Sequence, residues 1–103
     1  MSKLIPQEIL ATLPDLYDTE ETKDPFCQVK LFTPDSNFTW LIIELSKEDS
    51  STCYGYVQGL ENELGYFSLE EIENVRGALN LPVERDLFFE STKLSEIMNK
   101  GTN

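Results

Sequence analysis

Apolar and polar positions alternate along residues 53–60. Tyr54, Tyr56, Gln58 and Leu60 fall on one side of an extended chain, and Cys53, Gly55, Val57 and Gly59 on the other. The second side is small, which leaves room for a close neighbour. Residues 61–63 are short and polar, and 64–67 resume a strand pattern, so the stretch predicts a hairpin. The period then changes from two to 3.6. Leu69, Ile72, Val75 and Leu79 share one side of a helical wheel, with Glu70, Glu71 and Asn74 opposite. Ser68 followed by Glu71 reads as a capping box, and Gly77 as the helix stop.

The flanking chain completes the pattern. Residues 6–13 predict a first helix, with Pro6 in its first turn and Ile5, Ile9, Leu10 and Leu13 on its apolar side; Pro14 ends or redirects it, and Leu16 and Tyr17 add a short apolar continuation. Residues 18–25 form a charged loop, and with Asp15 they hold five carboxylates and one lysine. A strand follows at 26–33. Next comes a turn at 34–37, in which Asp35 and Asn37 are expected to bond their own backbone or to accept a left-handed conformation. The strand at 38–45 is apolar on both sides, Trp40 and Ile42 against Leu41, Ile43 and Leu45, as in a central strand covered twice. Trp40 reads as core. Residues 46–52 form a polar loop, and 80–86 a connector. Residues 87–90 predict a last strand, and Leu94, Ile97 and Met98 a final helix capped by Ser91 or Thr92, with 100–103 fraying. The expected fold is a single α+β domain: a mainly antiparallel sheet of four or five strands with two or three helices. No internal repeat or second domain is visible.

Charge sharpens this outline. The 103 residues carry 19 acidic and 8 basic side chains, a net charge of −11. Such a surface repels phosphate backbones and anionic membranes, so neither direct nucleic-acid binding nor membrane binding is expected, and a basic protein surface is the natural partner. The first residues lack the uninterrupted apolar run of a signal peptide, which predicts a cytoplasmic protein. Cys27 and Cys53 fall in predicted strands without metal-like spacing and read as buried thiols, with a cross-strand disulfide as the alternative. Catalytic signatures are missing. There is no histidine, P-loop, dinucleotide fingerprint or EF-hand pattern, so no enzyme activity, cofactor or metal is expected.

Three segments carry a resemblance: T-P-D-S-N-F-T-W at 33–40, G-Y-V-Q-G-L-E-N-E-L-G-Y-F-S-L at 55–69 and L-P-V-E-R-D-L-F-F-E at 81–90. Together they resemble a domain-of-unknown-function family found on conjugative plasmids, integrative elements and phages, across nearly the whole chain. A member of that family is an anti-CRISPR protein that inhibits a type II-A RNA-guided DNA nuclease. The resemblance therefore implies an inhibitor of such a nuclease, and the charge adds the expectation of an acidic, monomeric protein that binds it stoichiometrically, with or without guide RNA.

The candidate contacts are two acidic clusters. Asp18, Glu20, Glu21 and Asp24 form the first, and Glu61, Glu63, Glu70, Glu71 and Glu73 the second. The helix carboxylates among them also suit a helix N-terminus. Two other readings use the same residues: an accessory interaction module of plasmid transfer or replication, and a small hydrolase with carboxylate-bound metal.

Overall fold

The computed structural model describes residues 4–99; the fraying expected at 100–103 lies outside them. The chain runs α1 (Gln7–Leu10), β1 (Phe26–Cys27), β2 (Val29–Phe32), β3 (Thr39–Leu45), β4 (Thr52–Gln58), β5 (Asn62–Ser68), α2 (Leu69–Ile72), β6 (Glu84–Arg85), β7 (Thr92–Lys93) and α3 (Leu94–Asn99). An antiparallel five-stranded sheet in the order β5-β4-β3-β2-β6 forms the body, and β1 pairs with β7 in a second, two-stranded sheet. This is the α+β arrangement that the alternating and helical periods predict.

The expected hairpin is β4 and β5, paired without a break from Thr52↔Ser68 to Gln58↔Asn62. Leu60 is not a strand residue. It stands at the tip of the turn, 96 % exposed. β3 lies at the centre of the sheet, and every residue from Trp40 to Leu45 is buried. One face packs Val29, Leu31, Trp40, Ile42, Leu45 and Cys53 beneath Ile5, Leu10, Leu13, Leu69, Ile72 and Val83. The other packs Leu41, Ile43 and Tyr56 against Cys27 and Leu94. A bulge between Ile42 and Glu44 shifts the register of β3. The extra residue reverses the alternation, so Leu45 joins Trp40 and Ile42 rather than Leu41 and Ile43.

Four expected elements end elsewhere. The first helix is a single turn, because Thr12 and Leu13 donate to carbonyls three residues back, Ile9 and Leu10, and tighten the chain. α2 likewise stops at Ile72, and Leu79 is 74 % exposed. Past Ile72 the chain tightens as it does in α1, with Asn74 N–H donating to Glu71 O and Val75 N–H to Ile72 O. The segment around Leu79 is held instead by Asp35. Its carboxylate accepts from the backbone N–H groups of Leu79 (2.6 Å) and Leu81 (3.3 Å) instead of its own turn. A Cβ on Gly77 would stand 1.7 Å from Asp35 Oδ1. Gly77 is a close-approach glycine, not a helix stop. The strand expected at 26–33 breaks after Cys27, where Gln28 N–H donates to Ile42 O and β1 leaves the main sheet for β7. The last strand is not 87–90. β6 pairs with β2 through Leu31↔Arg85 and Phe32↔Glu84, β7 pairs with β1, and Leu87 and Phe88 form an exposed turn between them.

Candidate functional site

An irregular loop must find acceptors for its backbone N–H groups, and loop 15–25 finds them partly in its own carbonyls, for Asp18, Glu20 and Thr22, and partly in carboxylates. Glu44, buried on β3 beside the bulge, accepts from Tyr17 N–H (2.8 Å), Thr19 N–H (2.9 Å) and the Thr19 hydroxyl. Asp15 accepts from the N–H groups of Leu16 (2.8 Å) and Lys47 (2.9 Å), and Asp18 from Asp15 N–H (3.0 Å). Asp24 reaches α3. It accepts from Ser95 N–H (2.9 Å) and Ser95 Oγ (2.6 Å), and so caps that helix in place of Ser91 or Thr92. The Ser95 hydroxyl and N–H hold the Asp24 carboxyl below its usual range. Within the first cluster, then, Asp18 and Asp24 hold the fold together. The Glu20 and Glu21 side chains are exposed and have no partner among the described residues.

The second cluster is divided. Glu61 lies in the turn before β5 and Glu63 near its start, both exposed. Glu70 and Glu71 are exposed on α2, and Glu73 is half-buried just after it. β5 separates the groups by roughly 20 Å, at about 3.3 Å per residue. Ser68 Oγ accepts from Glu71 N–H at 3.3 Å, the first half of the expected capping box. The second half is not made: the Glu71 carboxylate has no partner among the described residues. Ser68 is still a strand residue, paired with Thr52.

The fold also assembles what the pattern of residues did not announce. On the sheet face of Leu41 and Tyr56, a cavity of ≈ 360 Å³ gathers Tyr17, Tyr54, Leu64 and Tyr66 and brings Glu20 and Glu44 beside them. Tyr66 tilts against Tyr54 with ring centroids 5.1 Å apart, and against Tyr17 at 6.5 Å. Burial and the Tyr17 contact push the Tyr66 phenol upward. Tyr54 and Tyr66 share a face because they are cross-strand partners, a signal present in the hairpin register. Tyr17 arrives in a left-handed conformation (φ 72°) that no residue pattern predicts. An open groove of ≈ 840 Å³ lies at the other end of this face, over Lys30, Phe32, Thr39, Gln58 and Asn62, with Phe88 on its rim.

Among the described residues, no three His, Cys, Asp or Glu side chains converge as metal ligands. Cys27 and Cys53 are free, buried thiols in the packing of opposite sheet faces, which settles the disulfide alternative. Burial pushes both thiols up to about 12, so neither offers a thiolate at neutral pH. Among the described residues, no helix is long and apolar enough to cross a membrane.

A family model described as a protein of unknown function, DUF2958, matches residues 4–102. No curated protein and no solved structure matches the chain.

Proposed function

We propose, from the premise that the chain belongs to the DUF2958 family of proteins of unknown function, that it is a stoichiometric binding protein whose negative surface occupies a basic surface on a partner protein. One observation carries this reading. On a chain of net charge −11, Glu20, Glu21, Glu61, Glu63 and Glu70 are exposed and unpaired among the described residues. No hydrogen bond or ion pair among the described residues occupies their carboxylates, which leaves them available to another molecule.

The resemblance drawn from the three sequence segments narrows the partner to a type II-A RNA-guided DNA nuclease, with or without guide RNA. Such a nuclease holds its heteroduplex in a positively charged channel and reads its PAM with arginines. A negative body of this size is attracted to those surfaces at long range, and its occupancy there blocks DNA engagement.

The test is a cleavage assay with purified nuclease and guide RNA. Near-equimolar protein is expected to suppress cleavage. Charge reversal in E20K/E21K and in E61K/E63K is expected to relieve it, and raised salt to weaken capture. Full cleavage at excess protein removes the nuclease as partner. Capture of a basic partner that survives both reversals and high salt removes the electrostatic reading altogether.

A further inference from the structure

The two edges of the main sheet differ. β6 is two residues long and is continued by Asp86 N–H donating to Lys30 O, which gives it the short form expected of a protected edge. β5 is seven residues long and pairs with β4 without a bulge. It contains no lysine and no proline, and no strand among the described residues pairs with its outer side. Alternate residues of an antiparallel edge strand turn their N–H and C=O groups outward. None of those groups in β5 has a protein partner among the described residues.

Gly65 stands at the middle of this edge. A Cβ there meets no atom within 4 Å, and its backbone is not left-handed. Neither packing nor conformation requires glycine, yet glycine weakens a strand interior. Gly55, its cross-strand partner, is the opposite case: a Cβ there would stand 2.0 Å from Leu41 O. A glycine the fold does not need leaves open space for a side chain from outside, as when a large residue on a neighbouring strand covers an edge glycine.

The two faces of β5 then specify what that neighbour carries. Glu63 and Gly65 lie on one face, Leu64 and Tyr66 on the other, the latter two 40 % and 56 % exposed. We propose that β5 takes up an extended basic segment of the partner protein as an added strand. Its lysine or arginine side chains lie across Gly65 toward Glu63, and its alternate apolar side chains rest on Leu64 and Tyr66. This deepens the proposed function and rests on its reading that the partner surface is basic. Charge selects this occupant over a second copy of the chain, which would bring another −11 against the same edge.

The probe is a short blocked peptide of alternating lysine and valine, added to the whole protein. Its comparison is a peptide of equal charge interrupted by proline, which cannot extend a ladder. Residue-resolved hydrogen exchange is expected to slow at outward amides within 62–68, and the interrupted peptide to bind roughly tenfold more weakly. Gly65→Val is expected to lower affinity for the uninterrupted peptide by a similar factor while the unfolding midpoint holds or rises. Equal binding of both peptides, with no added protection in 62–68, overturns the strand proposal and leaves charge capture standing. Failure of both peptides to bind overturns the basic-partner reading with it. Protection of the same amides by dimerisation, without peptide, assigns the edge to a second copy and also overturns the proposal.

Discussion

Loop 15–25 and the β4–β5 hairpin are both acidic, and they spend their carboxylates differently. In the loop, Asp15, Asp18 and Asp24 accept backbone N–H groups, and Glu44 reaches in from β3 to accept three more donors. In the hairpin, the ladder from Thr52↔Ser68 to Gln58↔Asn62 satisfies the inward backbone groups, and Glu61 and Glu63 are left with nothing to hold among the described residues. The difference follows from backbone accounting. Irregular chain recruits side-chain acceptors to stay ordered, whereas regular chain does not need them. Negative charge is therefore a poor guide to a contact surface until each carboxylate has been followed to its donors.

The largest effect that distinguishes the two regions is at Glu44. Glu44→Ala leaves the N–H groups of Tyr17 and Thr19 and the Thr19 hydroxyl without their acceptor. A loss of roughly 3 kcal/mol or more is expected, read as a lower urea midpoint. The matched hairpin variant, Glu61→Ala with Glu63→Ala, is expected to leave that midpoint in place. Equal midpoints for both variants would erase the contrast between structural and free carboxylates.

A smaller loss is expected at Gly77, where another carboxylate does structural work. Gly77→Ala drives a methyl group into Asp35, whose other oxygen is fixed by Leu79 and Leu81 N–H. Overpacking of this kind costs about 1–3 kcal/mol. Once Asp35 is alanine the clash is gone, so the double variant should lose less than the sum of the single losses. Additive losses in a thermal or urea cycle would show that Asp35 does not set the fit at Gly77.

These cases mark how much the residues told in advance. The hairpin, the central strand and the Ser68 cap follow from local period and spacing, which short-range physics fixes. The class of fold followed from the same patterns. The break after Cys27, the cap of α3 and the displaced last strand depend on contacts between distant positions, such as Gln28 with Ile42 or Asp24 with Ser95, and the one-turn helices on a local tightening to three-residue hydrogen bonds that the apolar period does not reveal. The candidate site divides the same way. The acidic residues were legible, but their sorting was not, because Asp24 and Glu20 look alike in one dimension. Nor was it legible that the fold would set Glu20 beside Leu64 and Tyr66 while moving Glu70 to the far end of β5.

The smallest effect concerns acid. Asp49 organises loop 46–52 as Asp15 does its own loop. It accepts from the Thr52 hydroxyl (2.6 Å) and from the N–H groups of Thr52 (2.9 Å) and Ser51 (2.8 Å). Those bonds, the Thr52 hydroxyl foremost, lower its carboxyl from 3.8 to about 2. Between those values the unfolded chain binds a proton that the folded chain does not, so stability falls as pH falls. The contribution is whole above pH 3.8 and is lost as pH drops through about 2. Asp49→Asn is expected to flatten that limb of a urea-midpoint profile against pH. Glu61→Gln with Glu63→Gln is the control: these carboxylates receive no hydrogen bond among the described residues, and the limb should persist without them. A limb abolished by the hairpin pair and untouched by Asp49→Asn would reverse the assignment, making the hairpin the region whose charge maintains the fold.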